Sequence, residues 1–114
     1  MYNGIYIHIE RDHRRLHLCD RGEVIFTCPC AVGKTSTPTP LGNYRIANRV
    51  ILDGQQVYGT RWMGLDKPRY GIHGTNNPDS IGKAISLGCI RLQNRDAERL
   101  YERISVGTPV NITF

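Results

Sequence analysis

Apolar and polar residues alternate along the first third of the chain, which is the pattern of β-strands that bury one face. The alternation predicts strands over residues 5–9 and 15–19. A turn at residues 20–22, where glycine supplies a positive φ angle, leads into a third strand over residues 24–28 that reaches Val32. Because the connections are short, we expect these three strands to form a meander.

Proline and glycine interrupt the pattern in the middle of the chain. The Thr-Pro-rich segment over residues 33–42 contains two prolines. It cannot form a helix or a central strand, because proline lacks a backbone donor and forces extended geometry on the residue before it. Strand character then returns over residues 43–47, 57–63 and 70–73.

Helical signals appear only in the last third of the chain. Residues 77–81 can form a short helical turn with proline at an early position. Residues 94–104 form the strongest helical pattern, and Asn94 is placed to cap its start. The apolar positions of this pattern recur on one face, namely Ala97, Leu100, Tyr101 and Ile104. The pattern over residues 109–114 predicts a closing strand.

The number and length of these elements define the fold class. With 114 residues the chain has the length of one domain, so we expect residues 1–114 to form a single domain. The elements predict a mostly β fold, a β-sandwich or partly closed barrel of mixed sheets with one or two short helices. Folds of this kind carry their function on loops that the sheet holds in place.

The charge of the chain narrows the choice of partners. The formal net charge is +5, and a basic surface attracts polyanions. The chain has no long run of like charges and no stripe of basic and aromatic residues, so we expect a solvated basic surface and no nucleic-acid partner. We see no signal-peptide pattern and no apolar stretch long enough to span a membrane, and expect neither in this chain.

Most of the cysteines and histidines lack the spacing of a functional site. Cys28-Pro29-Cys30 is too tight for a comfortable disulfide. We expect these two cysteines and Cys19 to be buried in strands, while a bridge from Cys19 or adventitious metal binding stays open. Three histidines have no carboxylate at metal-ligand spacing, and we expect them on strands or the surface without a metal or other cofactor: His8, His13 and His17.

Two segments combine turn residues with reactive side chains. His73 precedes Gly74 at a strand end, and Cys89 follows Gly88 sixteen residues later. A neighbouring imidazole increases the thiolate fraction of a cysteine, and the carbonyl of Gly74 could orient that imidazole. Backbone N–H groups of Gly88 and Cys89 could face a developing oxyanion. Taken alone, this pattern fits a nucleophile and base as well as a buried thiol and a structural histidine.

The two segments also resemble a known active-site motif. His73-Gly74-Thr75 followed by Ser86-Leu87-Gly88-Cys89-Ile90-Arg91-Leu92 is similar to the motif of the L,D-transpeptidase (YkuD-type) catalytic domain. In that family a histidine is followed, after a gap of this size, by Ser-His-Gly-Cys, an apolar residue and Arg or Asn. The Thr-Pro-rich segment before a strand and the closing strand at residues 109–112 resemble further landmarks, so the likeness covers nearly the whole chain.

The resemblance implies a cysteine acyltransferase that acts on peptidoglycan. Cys89 would attack the carbonyl of the third residue of a stem tetrapeptide and release terminal D-alanine, with His73 as base and the Gly74 carbonyl orienting it. The backbone of Leu87, Gly88 and Cys89 would hold the oxyanion. The amine of a second stem peptide would then take the acyl group, or water would take it in an L,D-carboxypeptidase reaction.

The resemblance also implies partners and a place of action. The partners would be peptidoglycan stem peptides, with carbapenems as covalent inhibitors, and no cofactor would be needed. The roles would be peptidoglycan biosynthesis, cell wall biogenesis and cell shape, outside the cytoplasmic membrane in the periplasm or cell wall. We expect a monomer.

One position departs from the family pattern. Leu87 stands where the family often has His or Arg, so its side chain cannot donate to substrate, although a backbone oxyanion hole survives the change. We expect Ser86 to hydrogen-bond within the loop, and Arg91 to brace it or to bind a substrate carboxylate, with bracing favoured. Three aromatic residues either line the cleft or belong to the core: Tyr58, Trp62 and Tyr70.

Two further readings stay open, one of them from a different class. A papain-like cell-wall endopeptidase would also use cysteine and histidine, but it places the cysteine first in the chain, whereas here the order is reversed. A catalytically silent peptidoglycan-binding module would keep the cleft and use the basic surface.

Overall fold

The computed structural model describes residues 4–114, which form ten β-strands, one α-helix and one turn of 3-10 helix. In chain order these are β1 (Ile5–Glu10), β2 (Arg15–Asp20), β3 (Glu23–Pro29), β4 (Val32–Gly33), β5 (Gly42–Ile51), β6 (Arg61–Leu65), β7 (Gly71–His73), the 3-10 turn (Pro78–Ser80), β8 (Ala84–Ser86), β9 (Ile90–Arg91), α1 (Asn94–Tyr101) and β10 (Pro109–Thr113). The expectation of no signal peptide depends in part on residues 1–3, which lie outside the described residues.

Eight of the strands form one curled, mixed sheet in the order β3-β2-β1-β10-β5-β6-β7-β9. The pairs β1–β10 and β7–β9 are parallel, and the other pairs of this sheet are antiparallel. The two short strands β4 and β8 form a separate parallel pair. The predicted mostly β fold with one or two short helices is therefore confirmed.

The first three strands form the predicted antiparallel meander. Leu18 pairs with Ile7 and Leu16 pairs with Ile9, and all four side chains are fully buried. The expected continuation of the third strand to Val32 is wrong. β3 ends at Pro29, because the residues after it pair elsewhere, Ala31 with Arg91 of β9 and Val32 with Ala84 in the small sheet.

The middle of the sheet contains the largest departures from the predicted elements. The strand expected over residues 57–63 is present only from Arg61, where β6 starts. Its expected first half is wrong, because the backbone N–H of Gly59 donates to the carbonyl of Gln56 in a turn. β5 is longer than the expected residues 43–47, because it pairs with β10 at its start and with β6 over its second half. The three-residue strand β8 and the two-residue strand β9 were not predicted.

The helix α1 buries the apolar face that its periodicity predicts, with Ala97 and Leu100 in the core. The expected extent to residue 104 is wrong, since the helix ends at Tyr101, although Ile104 is also buried. The expected cap is wrong, since Gln93 occupies the cap position without a side-chain hydrogen bond. Asn94 is instead the first helical residue, and its side chain turns towards two loops. The helix packs against β6 and β7 and so lies behind the strand that ends at His73.

The remaining cysteines and histidines lie away from the cleft described below. All four cysteines are free, and Cys19, Cys28 and Cys30 are buried as predicted, although Cys30 lies between β3 and β4 and not in a strand. His17 does have a carboxylate neighbour, because its Nε2 lies 2.6 Å from Glu10 Oε1. Within residues 4–114, no group of three or more His, Cys, Asp or Glu residues is arranged to hold a metal ion. The described helices include none that is long and apolar enough to cross a membrane.

Candidate active site

The parallel pairing of β7 and β9 brings the two chemistry-bearing segments together. Ile72 pairs with Ile90 and His73 pairs with Arg91, while Cys89 immediately precedes β9. Side chains alternate between the faces of a sheet, and Ile72 and Ile90 are buried in the core. His73 and Cys89 therefore face the other side, where both line one cleft of about 480 Å³.

His73 is held as a neutral imidazole. Its Nδ1 lies 2.5 Å from the carbonyl oxygen of Gly74, the hydrogen bond that the sequence predicts. A carbonyl only accepts, so Nδ1 carries the proton and the lone pair remains on Nε2. Burial lowers the pKa of His73 to about 4, the bond to Gly74 opposes this, and the positive charge of Arg91 adds to it. The ring is thus a free base at neutral pH.

Two aromatic rings enclose the imidazole. Trp62 stacks on His73 with ring centroids 5.7 Å apart, and Tyr58 meets His73 edge-on at 4.9 Å. The indole Nε1 of Trp62 donates to Asn48 Oδ1 at 3.0 Å, which fixes the plane of the stack. The aromatic side chains therefore exclude water from the ring, and only 3% of the His73 surface is exposed.

Cys89 is half-buried and its thiol is protonated at rest. Its Sγ donates to the carbonyl of Arg69 at 3.4 Å. Burial raises the pKa of the Cys89 thiol, although a backbone hydrogen bond at Gly71 and the charge of Arg91 lower it. The sequence predicts a thiolate promoted by the histidine. The structure instead holds a neutral thiol and a neutral imidazole in one cleft, because both groups are desolvated.

The loop before Cys89 is organised around one hydroxyl. Ser86 Oγ donates to the carbonyl of Cys89 at 2.7 Å and accepts from the backbone N–H of Gly88 at 3.0 Å. The predicted bonding of Ser86 within the loop is therefore present. It also corrects the predicted oxyanion hole, because the Gly88 N–H is already engaged. The N–H groups of Leu87 and Cys89 are the predicted donors that remain.

The Thr-Pro-rich segment braces this loop from the other side. Thr37 Oγ1 and the backbone N–H of Lys34 both donate to the carbonyl of Ser86, at 2.8 and 3.1 Å. Thr39 Oγ1 donates to the carbonyl of Gly88 at 2.9 Å and accepts from the N–H of Gly33 at 2.9 Å. Sequence reasoning missed these threonines, although each directly precedes a proline of the segment, which was a usable signal.

Comparison with known proteins decides the family. Residues 4–112 match the sequence model of the L,D-transpeptidase catalytic domain, YkuD. The chain belongs to this family. It is similar to a putative L,D-transpeptidase YkuD from Bacillus licheniformis, with 48% identity over 107 residues that cover 94% of this chain and 64% of the relative. The chain thus spans a little less than two thirds of that relative's length.

Solved L,D-transpeptidase structures share the fold. The catalytic domain from the E. faecium L,D-transpeptidase superposes with a TM-score of 0.82 at 23% identity and covers 98% of both chains. LD transpeptidase LdtMt1, solved in complex with imipenem, superposes with a TM-score of 0.81 at 21% identity, covering 96% of this chain and 59% of that chain.

The other predicted residues of this L,D-transpeptidase domain lie around the same cleft. Arg91 lines it as well. Leu87 stands on the rim with 78% of its surface exposed. The ring of Tyr70 also lines the cleft and packs against Gly88, whose φ is 125°. Sequence reasoning did not identify Val57 or Arg69, which complete the lining.

Proposed function

We propose that residues 1–114 form the catalytic domain of an L,D-transpeptidase that acts on peptidoglycan stem peptides through Cys89. The observation that carries the proposal is the placement of His73 and Cys89 on one face of the β7–β9 pair, in one cleft. The imidazole has its proton on Nδ1 and its lone pair on Nε2, which is the state that a general base requires.

The first half-reaction forms a thioester. His73 Nε2 takes the thiol proton as Cys89 Sγ adds to the carbonyl carbon of the third stem residue. Negative charge develops on the carbonyl oxygen, and the N–H groups of Leu87 and Cys89 stabilise it. The imidazolium then gives its proton to the nitrogen of the departing D-alanine, and the bond between that nitrogen and the carbonyl carbon breaks.

The second half-reaction returns the enzyme to its starting state. An amine of another stem peptide attacks the thioester carbonyl and loses a proton to His73, and the carbon–sulfur bond breaks. The thiolate recovers the proton from the imidazolium. Water attacking in place of the amine gives L,D-carboxypeptidase activity by the same steps.

The resting electrostatics suit this sequence of proton transfers. Neither group carries charge before substrate binds, because burial raises the pKa of Cys89 and lowers that of His73. Proton transfer therefore accompanies attack, and the imidazolium forms only when negative charge is beside it. Arg91 and Arg69, which line the cleft, supply positive charge for substrate carboxylates.

The wider setting follows from the same chemistry. We propose action outside the cytoplasmic membrane, in peptidoglycan biosynthesis, cell wall biogenesis and cell shape, by a monomer that needs no cofactor. The imipenem complex of LdtMt1 supports acylation by carbapenems, whose strained carbonyl would react with Cys89 as the stem peptide does.

Intact-mass spectrometry with a carbapenem tests the proposal. Wild-type protein should gain one covalent adduct, and folded Cys89→Ala protein should gain none. A disaccharide tetrapeptide should then give a cross-linked dimer or a trimmed tripeptide with wild type only. Folded wild type that gives neither adduct nor product would refute the proposal, and its retention on purified peptidoglycan would support the silent binding module in its place.

A further inference from the structure

The side chain of Asn94 joins two loops that surround the catalytic histidine. Its Oδ1 accepts hydrogen bonds from the backbone N–H of Thr75 at 3.0 Å and of Thr60 at 3.2 Å. One helical turn later, Glu98 Oε2 accepts from Thr60 Oγ1 at 2.6 Å. The start of α1 is therefore bonded both to the loop after His73 and to the loop before β6.

The bond to Thr75 acts on the peptide that orients the imidazole. The N–H of Thr75 and the carbonyl of Gly74 belong to one planar peptide unit. Asn94 holds the N–H side of this unit, and His73 Nδ1 donates to its carbonyl side. A continuous chain of hydrogen bonds thus runs from Asn94 through the peptide to His73, and each bond in such a chain polarises the next.

The bond to Thr60 acts on the aromatic wall of the cleft. Thr60 follows Gly59 and Tyr58, and Tyr58 lies edge-on against His73. A Cβ atom at either Gly59 or Gly74 would overlap Asn94 Oδ1. Glycine at both positions therefore lets the two loops close on the amide oxygen.

We propose that Asn94 is a positioning residue that sets the orientation and basicity of His73 through the Gly74–Thr75 peptide. The proposal rests on the proposed function for its kinetic consequence, but the hydrogen-bond chain can be tested without activity. Asn94 does not itself touch the reacting atoms.

Two substitutions separate positioning from simple folding. Asn94→Ala removes the acceptor and should slow carbapenem acylation about 10- to 100-fold, as loss of an orienting partner or misplacement of a catalytic group does. Asn94→Asp keeps an oxygen for both N–H groups and should restore the rate to within a few-fold of wild type. Arg95→Ala, on the exposed neighbouring position of the same helical turn, should react like wild type.

In Asn94→Asp we also expect a change in the pKa of His73 that a purely structural role of Asn94 would not produce. A carboxylate at this place favours the imidazolium, so the pKa of His73 in Asn94→Asp should lie above its wild-type value. The other charged or titratable groups that line the cleft with His73 are common to all variants: Cys89, Arg91, Arg69, Tyr58 and Tyr70. So is Glu98, which accepts a hydrogen bond from Thr60. NMR titration of the His73 ring measures this shift directly, and the acid limb of the acylation profile should move with it.

The outcomes distinguish this proposal from the proposed function. Wild type that forms no adduct refutes the function, and the NMR titration then decides the role of Asn94 alone. If wild type reacts, folded Asn94→Ala protein that reacts at the wild-type rate overturns the positioning role. A His73 pKa in Asn94→Asp that equals the wild-type value also overturns it. If Asn94→Ala protein does not fold, the titration of Asn94→Asp is the deciding test.

Discussion

The hydroxyl of Thr39 donates a hydrogen bond to the carbonyl oxygen of Gly88 at 2.9 Å, across 49 residues of chain. Only 1% of Thr39 is exposed, and the same hydroxyl accepts from the N–H of Gly33. The position of the peptide before Cys89 is therefore set by a buried polar contact from the Thr-Pro-rich segment. The Thr-Pro-rich segment, which breaks the strand pattern of the sequence, is thus a support for the loop of Cys89.

Replacing Thr39 with valine should weaken both the fold and the site. The Thr39→Val side chain keeps the shape but leaves the Gly33 N–H without its partner in a buried place, at a cost of about 1–3 kcal/mol. The Gly88 peptide loses its tether, so carbapenem acylation should slow about 10-fold or more. Urea unfolding and the rate of adduct formation measure the two effects.

Thr39→Ser serves as the matched control, because it keeps the hydroxyl and loses only a methyl group. It should acylate at close to the wild-type rate. If Thr39→Val protein is folded and acylates as fast as Thr39→Ser, the threonine does not position the loop.

Substituting Gly88 tests the backbone conformation of the residue before Cys89. Gly88 has φ of 125°, and a Cβ there would lie 2.5 Å from Cε1 of Tyr70. Because both the backbone and the tyrosine must shift, Gly88→Ala should lower the acylation rate by about 100-fold. Adduct formation over time is the measurement.

Gly82→Ala is the control for backbone strain alone. Gly82 has φ of 90° and open space around its Cβ position. The Gly82→Ala protein should lose some stability but keep its acylation rate, since Gly82 lies outside the cleft lining. Equal rate losses in the two variants would mean that the effect is general destabilisation.

Local signals in the sequence predicted the parts of the site that depend on neighbours along the chain. Gly74 after His73, and Ser86 and Gly88 before Cys89, form contacts within three residues, and their turn chemistry was readable. The bonds from Thr39 to Gly88 and from Asn94 to Thr60 and Thr75 join distant segments. No local preference encodes such contacts, so they had to be seen in the fold.

The same dependence on distant contacts explains the secondary-structure elements that were predicted wrongly. Apolar residues at positions 57–63 suggested a strand, but Val57 and Tyr58 form the wall of the cleft because their loop is bonded to α1. Asn94 has the residue type of a helix cap, yet its side chain accepts hydrogen bonds from the loops that contain Thr60 and Thr75. The engaged N–H of Gly88 could not be anticipated, because it depends on the rotamer of Ser86.

The four cysteines should differ sharply in reactivity. Burial raises the pKa of Cys28 and of Cys30 to about 12 and also raises that of Cys19. Cys89 alone of the four is only half-buried. Native protein should therefore release one equivalent of chromophore from a disulfide reagent, and unfolded protein four. Carbapenem pre-treatment or Cys89→Ala should abolish the native signal. A second fast thiol in the native protein would contradict the burial of the other three.

The low pKa of His73 should make the protein less stable in mild acid. Burial lowers this pKa from 6.5 to about 4, so between these values the unfolded chain binds a proton that the folded chain excludes. Stability is then fully present above about pH 6.5 and is lost as the pH falls towards 4, by about 3 kcal/mol at most. Urea unfolding of wild type at about pH 7 and about pH 5 should show most of this loss. In the control variant His73→Gln this loss of stability between the two pH values should be smaller than in wild type, whatever the absolute stability of the variant.

The pKa of Glu10 is lowered from 4.5 mainly by its hydrogen bond with His17. Its contribution to stability changes at lower pH and is common to both proteins. Equal losses in the two proteins would show that His73 does not carry the pH dependence.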